Sequence, residues 1–410
     1  MKRLVVCCDG TWNTPRDNTN IHRTYRFLHE RIGRPSEKTT KDGIRTCAGR
    51  AKDGSEVVLF YDQGVGTNWF EKIRGGALGV GLSENVRDAY HFLAHAYSPG
   101  AEIYVFGFSR GAYTARSLCG FIKAAGLLKA PSEKDVWRAY FDYYSTEERI
   151  VARPSGMSFS GARDRLRKRI GDLIGNWSGA DLGSFPRHDG VKIRFIGVYD
   201  TVGALGVPLA ATASINEPIV GFHDTSMSEL IEHAVHALAV DEKRGPYSPT
   251  LWTLDEGQEL ARGQTILQVW FPGVHSDIGG GYSDKGIGDI TLDFMMQQTA
   301  QHGLVLDPES PHPDVTFDLL PPQHESFDEK WRILSESLKM VPLGVRSVGT
   351  TVKDASGRNL TVAGEVRAHK SLVRRFGQQV TTILNEESGQ TRNEIYRPPN
   401  VTASTLPEFE

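Results

Sequence analysis

The sequence predicts an α/β fold, a mainly parallel sheet flanked by helices. Three observations carry this. Short continuous apolar runs, such as Leu4-Val-Val-Cys-Cys8 and Ile103-Tyr-Val-Phe106, suit strands buried on both faces. Segments with apolar residues at helical spacing lie between such runs. Polar or glycine residues follow the runs at their carboxyl ends, where ligands sit in open α/β sheets.

Bulk properties narrow the class. A chain of 410 residues has room for one large α/β domain with insertions, or for two domains; a single domain over 1–410 is expected. Hydrophobic residues make up 39 % and charged residues 24 %, the balance of a soluble globular protein. A net charge of -3 gives no global attraction to nucleic acid, so no nucleic-acid partner is expected. The four cysteines, Cys7, Cys8, Cys47 and Cys119, are too few for a disulfide scaffold and suit packed, reduced thiols. The apolar run after Met1-Lys-Arg3 is too short for a secretory signal, and no run approaches the roughly 18 apolar residues of a membrane span. The default location is therefore cytoplasmic, with signal-less export left open. No feature of the sequence specifies an oligomeric state.

The elements follow in order. Leu4–Cys8 reads as a buried strand ending at Asp9-Gly10-Thr11-Trp12-Asn13. The Asp-Gly-Thr resembles the D-x-D-G-T of aspartate-nucleophile phosphatases, but Cys7 stands where their nucleophile belongs. Asn20 to Leu28 suits a short helix. Pro35 to Glu56 reads as an exposed loop or irregular hairpin, and Glu56–Tyr61 as a second strand. The run Gly75 to Gly81 lacks a G-K-[ST] and reads as packing rather than a phosphate cradle. Ser83 to Tyr97 has helical spacing with Ser83 as N-cap. His91 and His95 share a helix face, but Phe92 stands where a zinc pair would carry its glutamate.

The pivotal stretch is Ile103 to Arg116. An apolar strand stops at Gly107-Phe108-Ser109-Arg110-Gly111 and turns into a helix, which is the G-x-S-x-G nucleophile elbow in its required context. The turn leaves no room for side chains two residues either side of the serine, hence Gly107 and Gly111.

Beyond it, 129–190 changes texture and reads as a helical cap insertion. It begins Trp- and Tyr-rich and continues with a basic run, Arg163-Asp-Arg-Leu-Arg-Lys-Arg169. That run is either a solvated helix face or a peripheral contact with an anionic membrane. Val191–Tyr199 is the next strand, ending at Asp200. The following region reads as variable and helical. Thr265–Phe271 is a strand leading to Pro272-Gly-Val-His275-Ser-Asp277, with glycines allowing an exposed, mobile loop. Asp289 to His302 reads as a helix. After about 305 the chain turns proline-rich and irregular, with strands expected at Arg346–Val352 and Leu360–Val366. Residues 305–410 are expected to pack on the core as a C-terminal extension.

Ser109, Asp200 and His275 thus stand at the carboxyl ends of three strands, in the α/β-hydrolase order. The chemistry assigns Ser109 as nucleophile, His275 as general base and Asp200 as its orienting acid. Asp241 and Asp277 are rivals for the acid. An oxyanion hole needs backbone N–H donors; Arg110 is the expected first and Gly10 or Thr11 the second. Asp9 is expected to brace its own loop. No cofactor and no metal are needed.

Four stretches together resemble the DUF2235 family, which includes the Tle1-like phospholipase effectors of type VI secretion. They are Leu4–Asn13, Gly107–Arg116, Val198–Val202 and Gly273–Tyr282, with His369-Lys-Ser371 and Tyr396-Arg-Pro-Pro-Asn400 also similar. The resemblance implies an α/β-hydrolase-like core, carboxylic-ester hydrolysis with phospholipid acyl chains as leading substrates, and the triad Ser109, Asp200 and His275. The residues alone support a small-molecule or lipid ester. A non-catalytic lipid- or protein-binding module with the same cleft is the alternative.

Overall fold

In a computed structural model, placement is described for residues 1–10, 13, 15–41, 43–64, 80–144, 150–152, 158, 160–161, 164, 168, 185–202, 219–220, 227–254, 257–311, 313, 318, 320–326, 344–349, 351–353, 359–401 and 408–409. Among them, ten strands form one sheet: β1 (Lys2–Cys8), β2 (Ile32–Thr39), β3 (Arg45–Ala51), β4 (Glu56–Asp62), β5 (Glu102–Phe108), β6 (Ile193–Tyr199), β7 (Ile231–Ala239), β8 (Thr265–Phe271), β9 (Glu365–His369) and β10 (Glu408–Phe409). Their spatial order is β2-β3-β4-β1-β5-β6-β7-β8-β9-β10. All pairs are parallel from β4 to β10, while β2 and β3 add an antiparallel edge. The polar stretch expected as a loop or hairpin is that edge.

Side chains alternate across the sheet. On β1, Leu4, Val6 and Cys8 enter one core cluster, with Val5 and Cys7 in the other. The first cluster is covered by α2 (Val80–Ala96), α3 (Arg110–Ala125) and α4 (Glu133–Tyr144); the second by α1 (Asn20–His29) and α6 (Gly286–Gln301). The remaining α-helices among the described residues are α5 (His275–Gly279) and α7 (Lys370–Arg375). Each buried Leu, Ile or Phe contributes about 1.5–3 kcal/mol. A partly exposed pair such as Lys2–Glu56, 3.0 Å apart, contributes about 1 kcal/mol or less, so the two apolar layers dominate. All four cysteines are buried and free. No described helix is long and apolar enough to cross a membrane.

Two expectations change here. The region after Asp200, expected to be helical, holds β7 in the middle of the sheet. Its sequence, Ile-Glu-His-Ala-Val-His-Ala-Leu-Ala, is poor in β-branched and aromatic residues, so burial between two neighbouring strands decides its conformation. The segment beyond 305 is more than a covering layer, since β9 and β10 extend the central sheet. Of the expected strands there, Thr351–Lys353 and Asn359–Val362 pair with each other, while Arg346 lies outside any strand. The cap expected over 129–190 is described mainly through α4. There Val136, Ala139, Tyr140 and Tyr143 pack with α2 and α3, and Phe121 stacks on Tyr90 and Tyr143. Most of the basic run 163–169, and most of the glycine run 75–81, lie outside the described residues.

The elbow itself is sterically tight. A Cβ on Gly107 would lie 2.5 Å from the Ala112 backbone, and one on Gly111 would lie 2.1 Å from the Cys8 carbonyl oxygen. Gly111→Ala is expected to cost about 2–3 kcal/mol by overpacking, read as a lowered midpoint in urea unfolding. An unchanged midpoint would show that β1 and α3 do not approach this closely.

Candidate active site

Strand register brings Ser109, Asp200 and His275 to one edge. Cys8 pairs with Gly107, Phe108 with Tyr199, Tyr199 with Ala237, and Ala239 with Phe271. Asp9, Ser109 and Asp200 each follow directly on these level strand ends, and His275 lies four residues past Phe271.

Ser109 occupies the turn between β5 and α3 at φ 58°, ψ -120°. A non-glycine residue at positive φ is strained. Its backbone N–H donates to the Tyr199 carbonyl at 3.0 Å, which ties the turn to β6. The Ser109 hydroxyl Oγ lies 2.8 Å from His275 Nε2, and His275 Nδ1 lies 2.6 Å from Asp200 Oδ2. The carboxylate selects the tautomer in which Nδ1–H donates to Asp200 and Nε2 accepts from the serine hydroxyl. Ser109, His275 and Asp200 are only 7, 4 and 0 % exposed. His275 opens α5 instead of riding a mobile loop; Gly273 at φ 99° and Gly280 at φ 73° serve the tight turns at either end.

Asp200 has further partners that the sequence did not reveal. Arg346 Nη1 donates to Oδ1 at 2.6 Å and Nη2 to Oδ2 at 2.9 Å, while the Ala239 N–H donates to Oδ1 at 3.0 Å. Burial by itself would raise the Asp200 pKa. The Arg346 charge and the hydrogen bonds from His275 and Arg346 outweigh it and hold the carboxyl far below the usual carboxylate range. Burial lowers the His275 pKa, with Asp200 opposing.

The rival carboxylates hold backbone. Asp241 Oδ2 accepts from the Gly273 N–H at 2.6 Å and the Tyr396 hydroxyl at 2.8 Å, and burial pushes its pKa up to about 6. Asp277 accepts from the Val274 N–H at 2.9 Å and from His324, whose Nδ1 lies 2.6 Å from Oδ1. His324 in turn stacks on Tyr282 with ring centroids 3.7 Å apart. Glu242, also unread in the sequence, accepts from the His275 N–H at 3.2 Å, from Ser326 Oγ at 2.9 Å and from Arg244 Nη2 at 2.8 Å. Burial would raise the Glu242 pKa, but Arg244 brings it down to about 2. Phe108 and Tyr247 pack on the His275 ring at centroid distances of 4.8 and 4.9 Å.

On the opposite wall, Asp9 collects donors from Gly10 N–H at 2.8 Å, Thr19 Oγ1 at 2.6 Å and the Tyr61 hydroxyl at 2.9 Å. Burial raises its pKa to about 7 against those bonds. The Gly10 N–H therefore faces Asp9 in this geometry, which does not fit its expected place as an oxyanion donor. Thr11 lies outside the described residues. Arg110 begins α3, where first-turn N–H groups point out of the helix. The His91 and His95 rings lie tilted with centroids 4.1 Å apart, and among the described residues no group of three or more His, Cys, Asp or Glu is placed to hold a metal ion.

A family model described as T6SS, phospholipase effector Tle1-like, catalytic domain, matches residues 2–298. The chain belongs to this Tle1-like family. It is 26 % identical over 280 residues to the uncharacterized protein YEL023C of Saccharomyces cerevisiae, covering 62 % of this chain and 34 % of that protein, so the chain spans about a third of its relative. It is also similar to the Tle1 effector in a structure of that effector bound to the VgrG spike from the type 6 secretion system. There the identity is 17 %, the coverage 70 % of this chain and 52 % of the other, and the TM-score 0.35.

The Glu242 carboxylate makes a pH prediction. Its folded pKa is depressed, so its stabilisation is present above the unfolded value and lost as pH falls through the folded one. From an ordinary glutamate value of 4.5 to about 2, the loss is on the order of 3 kcal/mol. Glu242→Gln is expected to flatten the fall of unfolding free energy between about pH 5 and pH 2. An unchanged acid slope would remove Glu242 as an ionised brace.

Proposed function

We propose that this chain is a serine-dependent hydrolase of carboxylic esters, with lipid acyl esters as its substrates and a covalent acyl-enzyme as its intermediate. The observation that carries the proposal is the continuous hydrogen-bonded chain from Ser109 Oγ through His275 to Asp200, with Ser109 held at φ 58° at the end of β5. A serine hydroxyl is a weak nucleophile at neutral pH and needs an adjacent base. His275 Nε2 takes the proton as Ser109 attacks the ester carbonyl; Asp200 orients the imidazole and stabilises its charged form. His275 then returns the proton to the leaving alcohol. Water, deprotonated by the same nitrogen, releases the acid.

The tetrahedral oxyanion is received by the Arg110 N–H, adjacent to the nucleophile. The second donor is sought in the loop after β1, where the Gly10 N–H is bonded to Asp9. Membership of a phospholipase effector family supports a lipid ester over a water-soluble one. Contact of the basic run 163–169 with an anionic bilayer would bring the enzyme to such a substrate.

A fluorophosphonate probe tests the nucleophile: wild type is expected to label, Ser109→Ala not at all. Folded wild type that stays unlabelled would favour a binding module. Asp200→Asn is expected to lower turnover about 10⁴-fold through the wrong tautomer, measured on p-nitrophenyl esters and then on phospholipids with product analysis. A larger loss in Asp241→Asn or Asp277→Asn would move the acid elsewhere. Cosedimentation with vesicles containing anionic phospholipid is expected to weaken severalfold when the basic residues of 163–169 are reversed in charge. Equal binding by the reversed chain would sink the membrane contact.

A further inference from the structure

The guanidinium of Arg346 forms a bidentate pair with the same carboxylate that faces His275. Its two terminal nitrogens reach both oxygens of Asp200, at 2.6 and 2.9 Å, and also donate to the carbonyls of Ala239 and Tyr247. Arg346 is 7 % exposed and Asp200 fully buried. Its own backbone is held too, since Asn400 Nδ2 donates to the carbonyls of Arg346 and Val240, each at 3.1 Å. So fixed a cation, in so enclosed a place, differs from a surface pair that averages to little.

We infer that Arg346 is a positioning residue, which locks Asp200 in plane with the His275 ring and offsets its negative charge, so that the imidazole stays a neutral base under mildly acidic conditions. The inference rests on the hydrolase reading above. In an unclamped Ser-His-Asp arrangement the carboxylate's whole charge favours the imidazolium. Here a permanent positive charge sits on that carboxylate and weakens its pull on the imidazolium.

The other charged groups around His275 are already matched. Glu242 is paired with Arg244 at 2.8 Å, and Asp277, on the same helix as His275, is paired with His324 at 2.6 Å. Asp241 is bound to Gly273 and Tyr396, and Lys243 to Glu325 at 3.0 Å. His236, behind Asp200, accepts from the Thr201 N–H at 3.1 Å, and burial lowers its pKa to about 3. Arg110 and Tyr247 lie on the serine side, with the Arg110 pKa lowered by burial. Removal of Arg346 therefore leaves Asp200 with the His275 ring and the Ala239 N–H as the donors described here for it.

The test uses the full chain and the rate of fluorophosphonate labelling from about pH 5 to pH 9. Wild type is expected to show an acid limb set by His275. In Arg346→Met that limb is expected to move up by about one pH unit, so that well below the midpoint labelling falls about tenfold relative to its plateau. In Arg346→Lys, which keeps the charge and loses the fork, the limb is expected to stay near wild type while the plateau rate falls about tenfold. An unmoved limb in a folded Met variant overturns the inference. If the Met variant does not fold, the Lys variant decides: a plateau equal to wild type overturns the positioning role, and a lowered plateau on an unmoved limb supports it. A folded wild type that never labels overturns the hydrolase reading and this inference together, whereas a labelled wild type with an insensitive Arg346 overturns this inference alone.

Discussion

The buried carboxylate of Asp200 is the constraint around which the molecule is arranged. A charge taken wholly out of water is costly unless every lone pair finds a donor. Asp200 meets this with donors from three separated parts of the chain: the end of β7 through Ala239, the start of α5 through His275, and the 344–349 segment through Arg346. Remove one and the other two face an incompletely solvated charge. The residue also sits at φ 40°, a strained conformation for aspartate. Such strain persists where surrounding contacts over-determine it, and here they do.

The segment beyond residue 305 takes part in this arrangement. Arg346 reaches Asp200, Tyr396 holds Asp241 against Gly273, and Asn400 ties the Arg346 backbone to Val240. His324 fixes Asp277, whose other oxygen caps the turn into α5 just ahead of His275. The same segment adds β9 and β10 to the sheet. Late parts of the chain thereby hold His275 and Asp200, which earlier strands place at the sheet edge. In the proposed mechanism this is preorganisation: groups fixed before the substrate arrives do not have to be ordered in the transition state.

A second feature is the asymmetry of the two walls. Around His275, the two buried carboxylates that arginines face, Asp200 and Glu242, have depressed pKa values, whereas Asp241, held by Gly273 and Tyr396, is raised to about 6. On the Asp9 side, burial dominates, and Asp9 and Asp62 are raised to about 7 and about 6. Neutral donors, such as Thr19 and Tyr61, accompany Asp9 instead of arginine.

Local rules reach a definite distance into this protein. Strand apolarity, the glycine-flanked Ser109 and the polar strand ends made the sheet, the elbow and the three polar residues at its edge legible, because each depends on neighbours in sequence and on burial on both faces of a strand. β7 was not legible, because its Ala- and His-containing residues are held extended by β6 and β8, not by their own preferences. With β7 unread, Asp241-Glu242-Lys243-Arg244 did not register as a strand-end cluster, though that was the signal available for Glu242. Arg346 had no signal at all: a lone arginine in Gly-Val-Arg-Ser-Val has no spacing rule, and its partner lies 146 positions away. The sequence by itself determined the α/β class and which serine, histidine and aspartate stand at strand ends. Only the tertiary structure decided which charges surround them, since a buried carboxylate takes its donors from wherever the fold brings them.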